Sequence, residues 1–568
     1  MRSIDDKYKT WVKSDLVSKE DKNILRKMTQ EERSDAFFKD IEFGTAGMRG
    51  VMGPGSNRLN FFTILKAAVC YGEYLVEKFP DARQRGVVIA HDNRMNSREF
   101  CNETAEILNV NGINVYIFDS LRPTPELSFA IRYLNCVGGI VITASHNPKE
   151  YNGFKVYDEN GCQLVPEKIE RLLEIIASKD HELATAVSEF QPHGETNILN
   201  SEVDDAYCQA VLGIRLNPDV KKEGYKIVFS PQHGTSYVNL MRIFNEAGYE
   251  IVPVTSQCDP DPNFSGTESP NPESPKAYTK ALEIAESIKA PLIITTDPDA
   301  DRVGIAYLAS DGTYRKLNGN EAGALLLDYV LSQRQAKGLL SPNGVMFNTI
   351  VTSSFGENVA KQYGVKTISL LTGFKFIGDK IHEFEIEENG PHFEFGYEES
   401  YGALIAPFVR DKDGLQASLL YAELACFYHE QGLCLDEVLY NLQRKLGEFY
   451  KDVQYSVEFK GAEGSENMKN LLSKVREKPF KEISRLRVVA FEDYLVSKRY
   501  EGEEVKELTL PKSDVMRFIL EDKSVVSIRP SGTEPKCKIY VNAVGRTKDE
   551  VFNKPQRIYL YIKNILKI

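Results

Sequence analysis

Ser145 stands in Thr143-Ala144-Ser145-His146-Asn147-Pro148, directly after the apolar run Gly139-Ile140-Val141-Ile142. A hydroxyl just beyond the carboxyl end of a buried strand lies where α/β sheets keep their chemistry, so Ser145 reads as a nucleophile that carries a phosphoryl group. The competing reading is a Ser/Asn/Pro turn that only ends a strand. Asp297, Asp299 and Asp301 follow a second apolar run, Leu292-Ile293-Ile294-Thr295, at alternate positions. Three carboxylates this close repel one another unless a cation sits among them, and an all-oxygen set suits Mg²⁺. An EF-hand loop is excluded, because Arg302 stands where glycine is needed and Leu308 where a bidentate glutamate is needed.

If a phosphorylated ligand is handled here, positive charge must be gathered locally, because the chain carries a net charge of −12 at pH 7. The sequence meets that demand on loops and strand ends. Phe43-Gly44-Thr45-Ala46-Gly47-Met48-Arg49-Gly50 offers glycines for close backbone approach and one guanidinium fork. In Phe154-Lys155-Val156-Tyr157, Phe154 and Val156 share one face, so Lys155 points to the other, where it can neutralise phosphate or assist proton transfer. Arg302, Lys375, Arg410 and Lys412 add cations, and Gly396-Tyr397-Glu398-Glu399-Ser400-Tyr401-Gly402 carries Glu398 and Ser400, suited to vicinal sugar hydroxyls. Arg529-Pro530-Ser531-Gly532-Thr533-Glu534-Pro535-Lys536 combines a guanidinium, two hydroxyls and the amides around Gly532 into a nest for a phosphate that is held but not transferred.

The elements that must position these residues form a repeated pattern. Strand-like Val87-Val88-Ile89-Ala90, a helix capped by Ser97 and stopped at Asn111-Gly112, strand Val115-Tyr116-Ile117-Phe118 and a helix with Thr124 as cap lead to the Ser145 loop. A second unit runs from Lys226-Ile227-Val228-Phe229 through Ile251-Val252-Pro253-Val254 to the aspartates. A third runs from Val345-Met346-Phe347 through Thr367-Ile368-Ser369-Leu370 to Phe393-Glu394-Phe395 and the Glu398 loop. Each unit reads as a mainly parallel α/β layer delivering one polar loop, and the simplest arrangement brings the three loops into one cleft. Residues 1–40 read as a polar helical arm anchored by Trp11, Val12, Leu16, Ile24, Leu25 and Met28. Past about residue 445 short strands and a final helix indicate a smaller α+β domain, in which Glu501–Glu507 reads as a solvated loop. The Pro-rich run 259–275 reads as a stiff loop to which no role attaches.

The acidic balance argues against nucleic acid as a partner. Nine cysteines without a CxxC pair argue against zinc and a disulfide framework, and the polar start and lack of a long apolar run argue against export and a membrane span. A cytoplasmic location is expected.

In these motifs and their order the chain resembles the α-D-phosphohexomutase superfamily, the phosphoglucomutases and phosphomannomutases. Its arm, its 396–402 loop and its length resemble most the branch with bacterial α-phosphoglucomutases and phosphopentomutase-like enzymes. The resemblance implies three related mixed-sheet α/β domains plus a C-terminal α+β domain around a central cleft. The expected bounds are an arm at 1–40 and domains at 41–210, 211–322, 323–445 and 446–568. It implies that Ser145 is the phosphoserine, which joins Asp297, Asp299 and Asp301 in binding Mg²⁺, and that Arg49, Lys155 and His146 flank the transferred group. Glu398 and Ser400 would grip the sugar, and Arg529, Ser531, Gly532 and Thr533 the distal phosphate. Lys375, Lys412 and Arg302 would add charge against the substrate. The implied reaction interconverts glucose 1-phosphate and glucose 6-phosphate through glucose 1,6-bisphosphate, with mannose and pentose phosphates as alternatives and a monomer or homodimer as the assembly. A metal-dependent phosphatase is the rival of a different class. A serine hydrolase is disfavoured because no G-x-S-x-G elbow surrounds Ser145 and because adjacent Ser and His do not readily hydrogen-bond.

Overall fold

A computed structural model describes residues 3–44, 47–179, 183, 190–459, 464–530 and 536–568. The chain forms two compact units: Met1–Lys316 with Phe374–Phe395 and Ser400–Gln431, and Leu317–Gly373 with Gly396–Glu399 and Gly432–Ile568.

Two sheets organise the first unit. In the seven-stranded one, Gly138–Ile142 lies beside Val87–His91 in parallel, followed by Val115–Phe118 and Thr196–Leu199. On its other side come Tyr151–Tyr157 and Gly47–Val51, both antiparallel. Val87–His91 and Gly138–Ile142 are buried along their whole length, which is why they read as continuous apolar runs rather than alternating ones. The five-stranded sheet repeats the plan: Leu292–Thr296 is parallel to Lys226–Ser230, which is parallel to Glu250–Pro253, while Val303–Leu308 and Tyr314–Lys316 close the other edge antiparallel. The Ser145 turn and the aspartate loop each leave the carboxyl end of a central parallel strand.

Three short helices, Ile4–Lys13, Lys19–Lys27 and Gln30–Phe37, form the arm, each N-capped by a hydroxyl side chain, of Ser3, Ser18 and Thr29. Trp11, Leu25 and Phe37 are buried together with Val17 and Ala36. Leu16 and Ile24, expected as anchors, are exposed: the buried stripe passes through Val17 and Leu25, and their neighbours face outward.

The second unit holds the parallel pair Gly344–Thr349 and Lys366–Leu370 and an antiparallel sheet. The sheet runs Phe449–Glu458, Lys536–Gly545, Val525–Pro530, Met516–Leu520, Leu486–Asp493, Lys498–Glu501 and Glu504–Glu507. The last two strands correct the expectation of a loop at 501–507. Glu501 pairs with Glu504 across a turn in which Gly502 takes φ +62°, and Lys506 sits within ion-pair distance of both glutamates, offsetting their repulsion.

Two helix starts also differ from expectation by one residue. Asn96, in the left-handed region, precedes Ser97, and Pro123 precedes Thr124. The second shift leaves the Thr124 amide and hydroxyl to bind outside the helix, where both meet Asp299.

Candidate active site

Ser145 is 2% exposed and takes φ +53°, a left-handed conformation that costs an L-residue about 1–2 kcal/mol and must be held by its surroundings. The holding group is Arg94. Its Nη2 donates to the carbonyls of Ser145 and Asn147 at 2.6 Å each, its Nη1 to Pro148 and Tyr151 at 2.8 and 2.9 Å, and its Nε to Asp92 Oδ2 at 3.1 Å. A guanidinium has five N–H donors, and all five are matched. Asp92, itself buried, also accepts from the hydroxyls of Ser97 and Thr143, and Thr143 Oγ1 accepts the Ser145 amide at 2.8 Å. The turn is therefore fixed through its backbone, leaving the Ser145 hydroxyl for chemistry.

That hydroxyl donates to Asp297 Oδ2 at 2.8 Å and lies 3.2 Å from His146 Nδ1. The second contact corrects the expectation that adjacent Ser and His stay apart: the left-handed backbone at Ser145 swings the two side chains to the same side.

Asp297, Asp299 and Asp301 are all buried, and one carboxylate oxygen from each lies within 4.8 Å of the others. Burial and the charges of Asp299 and Asp301 push the Asp297 carboxyl well above its usual range. At Asp299 burial pushes the same way, but the Lys155 ammonium, 2.8 Å from Oδ2, overrides it and holds the carboxyl below its usual range. Thr124 completes that side chain's setting, its hydroxyl donating to Asp299 Oδ2 and its amide to the Asp299 carbonyl. Lys412 Nζ reaches Asp301 Oδ2 at 3.1 Å, and its loop is docked by the Gly414 amide on the Ala300 carbonyl, an approach that a Cβ on Gly414, 2.6 Å from that oxygen, would block. The Asp299 Oδ1 and Asp301 Oδ1 atoms are buried without hydrogen-bond partners. Orphaned carboxylate oxygens in an all-oxygen cluster are what a hard divalent cation would satisfy, so the residues fit a metal site.

Other expected residues fall around this core. Arg49 Nη1 donates to Asn147 Oδ1 at 3.0 Å, and burial lowers its proton affinity. Gly47, at φ +88°, lets its strand lie against Phe154 and Lys155, with an added Cβ only 2.2 Å from the Phe154 carbonyl. Arg302 pairs with Glu273 at 2.9 Å, and its amide donates to Asp297 Oδ1. Lys375 is buried beside Cys162 and Glu167, and burial pushes its ammonium down to about 8. Arg410 has a fully buried side chain paired with Glu385, a structural ion pair. Ser400 is half-buried in the first unit. In the second unit Glu398 Oε1 accepts the Gly373 amide at 2.8 Å, and Arg529 is the penultimate residue of the strand Val525–Pro530. Ser531, Gly532 and Thr533 lie outside the described residues. Sequence reasoning missed Asp92, Arg94, Thr124 and Thr143; the one available signal was His91-Asp92-Asn93-Arg94, a polar cluster at the carboxyl end of a buried strand.

The chain matches a known family along most of its length. Domains I, II, III and the C-terminal domain of the phosphoglucomutase/phosphomannomutase family match residues 40–183, 205–309, 318–446 and 474–553 in order. A phosphoglucomutase of Staphylococcus epidermidis is 39% identical over 526 residues, covering 92% of this chain and 94% of its own. One of Staphylococcus aureus is 37% identical over 541 residues, covering 94% and 95%. In fold the chain is similar to a putative phosphomannomutase from Thermus thermophilus, with a TM-score of 0.69 at 22% identity, 93% of this chain and 100% of that one being covered. A phosphoglucomutase/phosphomannomutase family protein from Burkholderia thailandensis gives 0.67 at 19%, with 92% and 97% covered. A buried serine turn set against three buried aspartates, on a chain matched by all four domains, makes this protein a member of the phosphoglucomutase/phosphomannomutase family.

Proposed function

We propose that this enzyme interconverts glucose 1-phosphate and glucose 6-phosphate by way of a phosphoryl group carried on Ser145. The observation that carries the reading is the Ser145 hydroxyl, 2.8 Å from one carboxylate of the buried aspartate cluster and backed by Lys155 on another. The glucose preference follows the two staphylococcal relatives, both named phosphoglucomutase.

In the first half-reaction the P–Oγ bond of phosphoserine 145 breaks, a P–O bond to the free sugar hydroxyl forms, and the hydroxyl proton ends on Ser145 Oγ. The resulting glucose 1,6-bisphosphate turns round and returns its other phosphate to Oγ, releasing the isomer. Mg²⁺, held by Asp297, Asp299, Asp301 and the phosphoserine, would neutralise charge on the phosphoryl oxygens. The chain's own residues do the rest. Arg94 and Thr143 keep Oγ aimed into the site, and Lys155 and Arg49 place positive charge beside it. Since Asp297 is assigned to the cation, we assign His146 Nδ1, 3.2 Å from Oγ, to relay the proton between Oγ and the sugar oxygen in each half-reaction. Two phosphate sites are needed, and the passive one is assigned to Arg529, Ser531, Gly532 and Thr533, with Glu398 and Ser400 on the sugar. The arm and the four domains with bounds near 41–210, 211–322, 323–445 and 446–568 belong to the same reading.

The test is product analysis with glucose 1-phosphate and Mg²⁺. The expected result is glucose 6-phosphate with almost no inorganic phosphate. Stoichiometric phosphate release would make the protein a phosphatase, and faster turnover of mannose 1-phosphate or ribose 1-phosphate would reassign the sugar.

Lys375 gives this reading a pH signature. Its charge is present below about 8 and lost above it, because burial disfavours the ammonium. If the ammonium binds substrate phosphate, KM for glucose 1-phosphate rises as pH climbs through that value, and Lys375→Met removes the rise. A KM that stays flat in the unaltered enzyme between pH 7 and 9 would take Lys375 out of the substrate site.

A further inference from the structure

The Pro-rich loop 259–275, to which the sequence attaches no role, reaches from the sheet that carries the aspartates to the turn that carries Ser145. Phe264 is 4% exposed, and its ring lies under the guanidinium of Arg94, with 5.2 Å from Cζ to the ring centroid. All five Arg94 donors are used in the guanidinium plane, so the face is what remains for a neighbour, and an aromatic ring is the group that complements it. Phe264 takes φ +52°, an outlier for a bulky residue. Such a conformation persists only where its surroundings over-determine it, and here they do. The amides of Asn263 and Ser265, on either side of it, both donate to the Asp261 carboxylate. The Asp261 carbonyl accepts from Asn93 Nδ2 at 2.8 Å, in the residue next to Arg94. His233, whose ring meets Phe264 edge-on, is bracketed by the Asp259 carbonyl at Nδ1 and the Gly266 amide at Nε2. Only glycine fits at 266, since an added Cβ would lie 2.6 Å from that same Nε2.

The far end of the loop is tied to the metal side. Glu273 pairs with Arg302, the residue after the last aspartate, and its carbonyl accepts from Lys316. The Pro272 carbonyl accepts the Tyr278 hydroxyl, which stacks the loop back on its own domain.

Resting on the phosphoserine reading above, we propose that loop 259–275 is a strap that sets the Ser145 turn against the aspartate loop. Phe264 is its positioning residue, acting through the face of Arg94 without touching substrate. Asn93 with Asp261 is its second tie. Losing the ring leaves Arg94 hydrogen-bonded but free to rock out of its plane, and the turn whose carbonyls it holds lets Oγ drift from the in-line position that phosphoryl transfer needs.

The test follows phosphorylation of Ser145 by glucose 1,6-bisphosphate, read as the rate of appearance of the heavier species by intact mass, alongside kcat and KM for glucose 1-phosphate. Phe264→Leu keeps an apolar side chain and removes the ring. It is expected to slow loading and lower kcat by roughly thirtyfold, the size of one desolvated cation–π contact, with KM unchanged. Phe264→Tyr keeps the ring face and is expected to restore both. Equal rates in Phe264→Leu and the unaltered enzyme overturn the proposal, and so does equal slowing in the Leu and Tyr variants, which would mean packing alone. If Phe264→Leu does not fold, Asn93→Ala carries the test, because it opens the second tie without removing a buried ring, and an unchanged loading rate then overturns the proposal. Absence of loading in the unaltered enzyme counts against the phosphoserine reading instead.

Discussion

Ser145→Ala is expected to lower kcat by roughly 10⁴-fold or more, with no gain from added Mg²⁺ or glucose 1,6-bisphosphate, because the phosphoryl group loses its only resting place between half-reactions. The fold is not at stake. Ser145 is held through its amide and carbonyl, by Thr143 and Arg94, and both contacts survive loss of the hydroxyl. The melting temperature should therefore stay near that of the unaltered enzyme while activity vanishes. Intact mass supplies the second readout, since enzyme incubated with glucose 1,6-bisphosphate should gain a species about 80 Da heavier, the mass of a phosphoryl group, and the variant should not. A Ser145→Ala enzyme that still interconverts the two phosphates would remove the serine from the mechanism.

Asp299→Ala is the other large effect, and it has two separable parts. As a ligand, Asp299 contributes one of three carboxylates, so the Mg²⁺ concentration for half-activation should rise by at least about 100-fold, the upper end of what even outer-sphere partners of a metal contribute. As an ion-pair partner, its loss leaves Lys155 Nζ buried with Asp301 at 3.8 Å and Asp411 near by, and breaking a buried pair from one side costs about 3–5 kcal/mol. Asp299→Asn separates the parts, because an amide still accepts from Thr124 and Lys155 but carries no charge. It should recover much of the lost melting temperature and little of the Mg²⁺ response. An unchanged Mg²⁺ requirement in Asp299→Ala would show that the aspartate loop is not the metal site.

The runs at 87–90, 139–142 and 292–295 were legible because strands buried on both faces are filled mostly by apolar residues, and the loops after them were legible because polar residues then stand out. Composition could not reveal the hairpin at 498–507, where sheet pairing overrides a charge pattern that reads as solvated. Lys155 was placed on the correct face by period-two alternation alone, yet alternation says nothing of its partner, an aspartate 144 positions away.

By itself the sequence determined the local chemistry: the serine, the spacing of three aspartates, the glycine and cation loops, and the strands that end at them. These are short-range properties, set by residue type and by backbone periodicity. Only the tertiary structure decided which groups act on one another. Arg94 holds the serine turn, Thr124 meets Asp299 because its helix starts one residue early, and Phe264 lies under Arg94, 170 residues from it in the chain by their numbering. Each of these depends on a buried charge or hydroxyl finding its partner from a distant strand end. Burial makes an unpaired polar group costly, and that cost selects the partner only when the whole sheet has brought the candidates together.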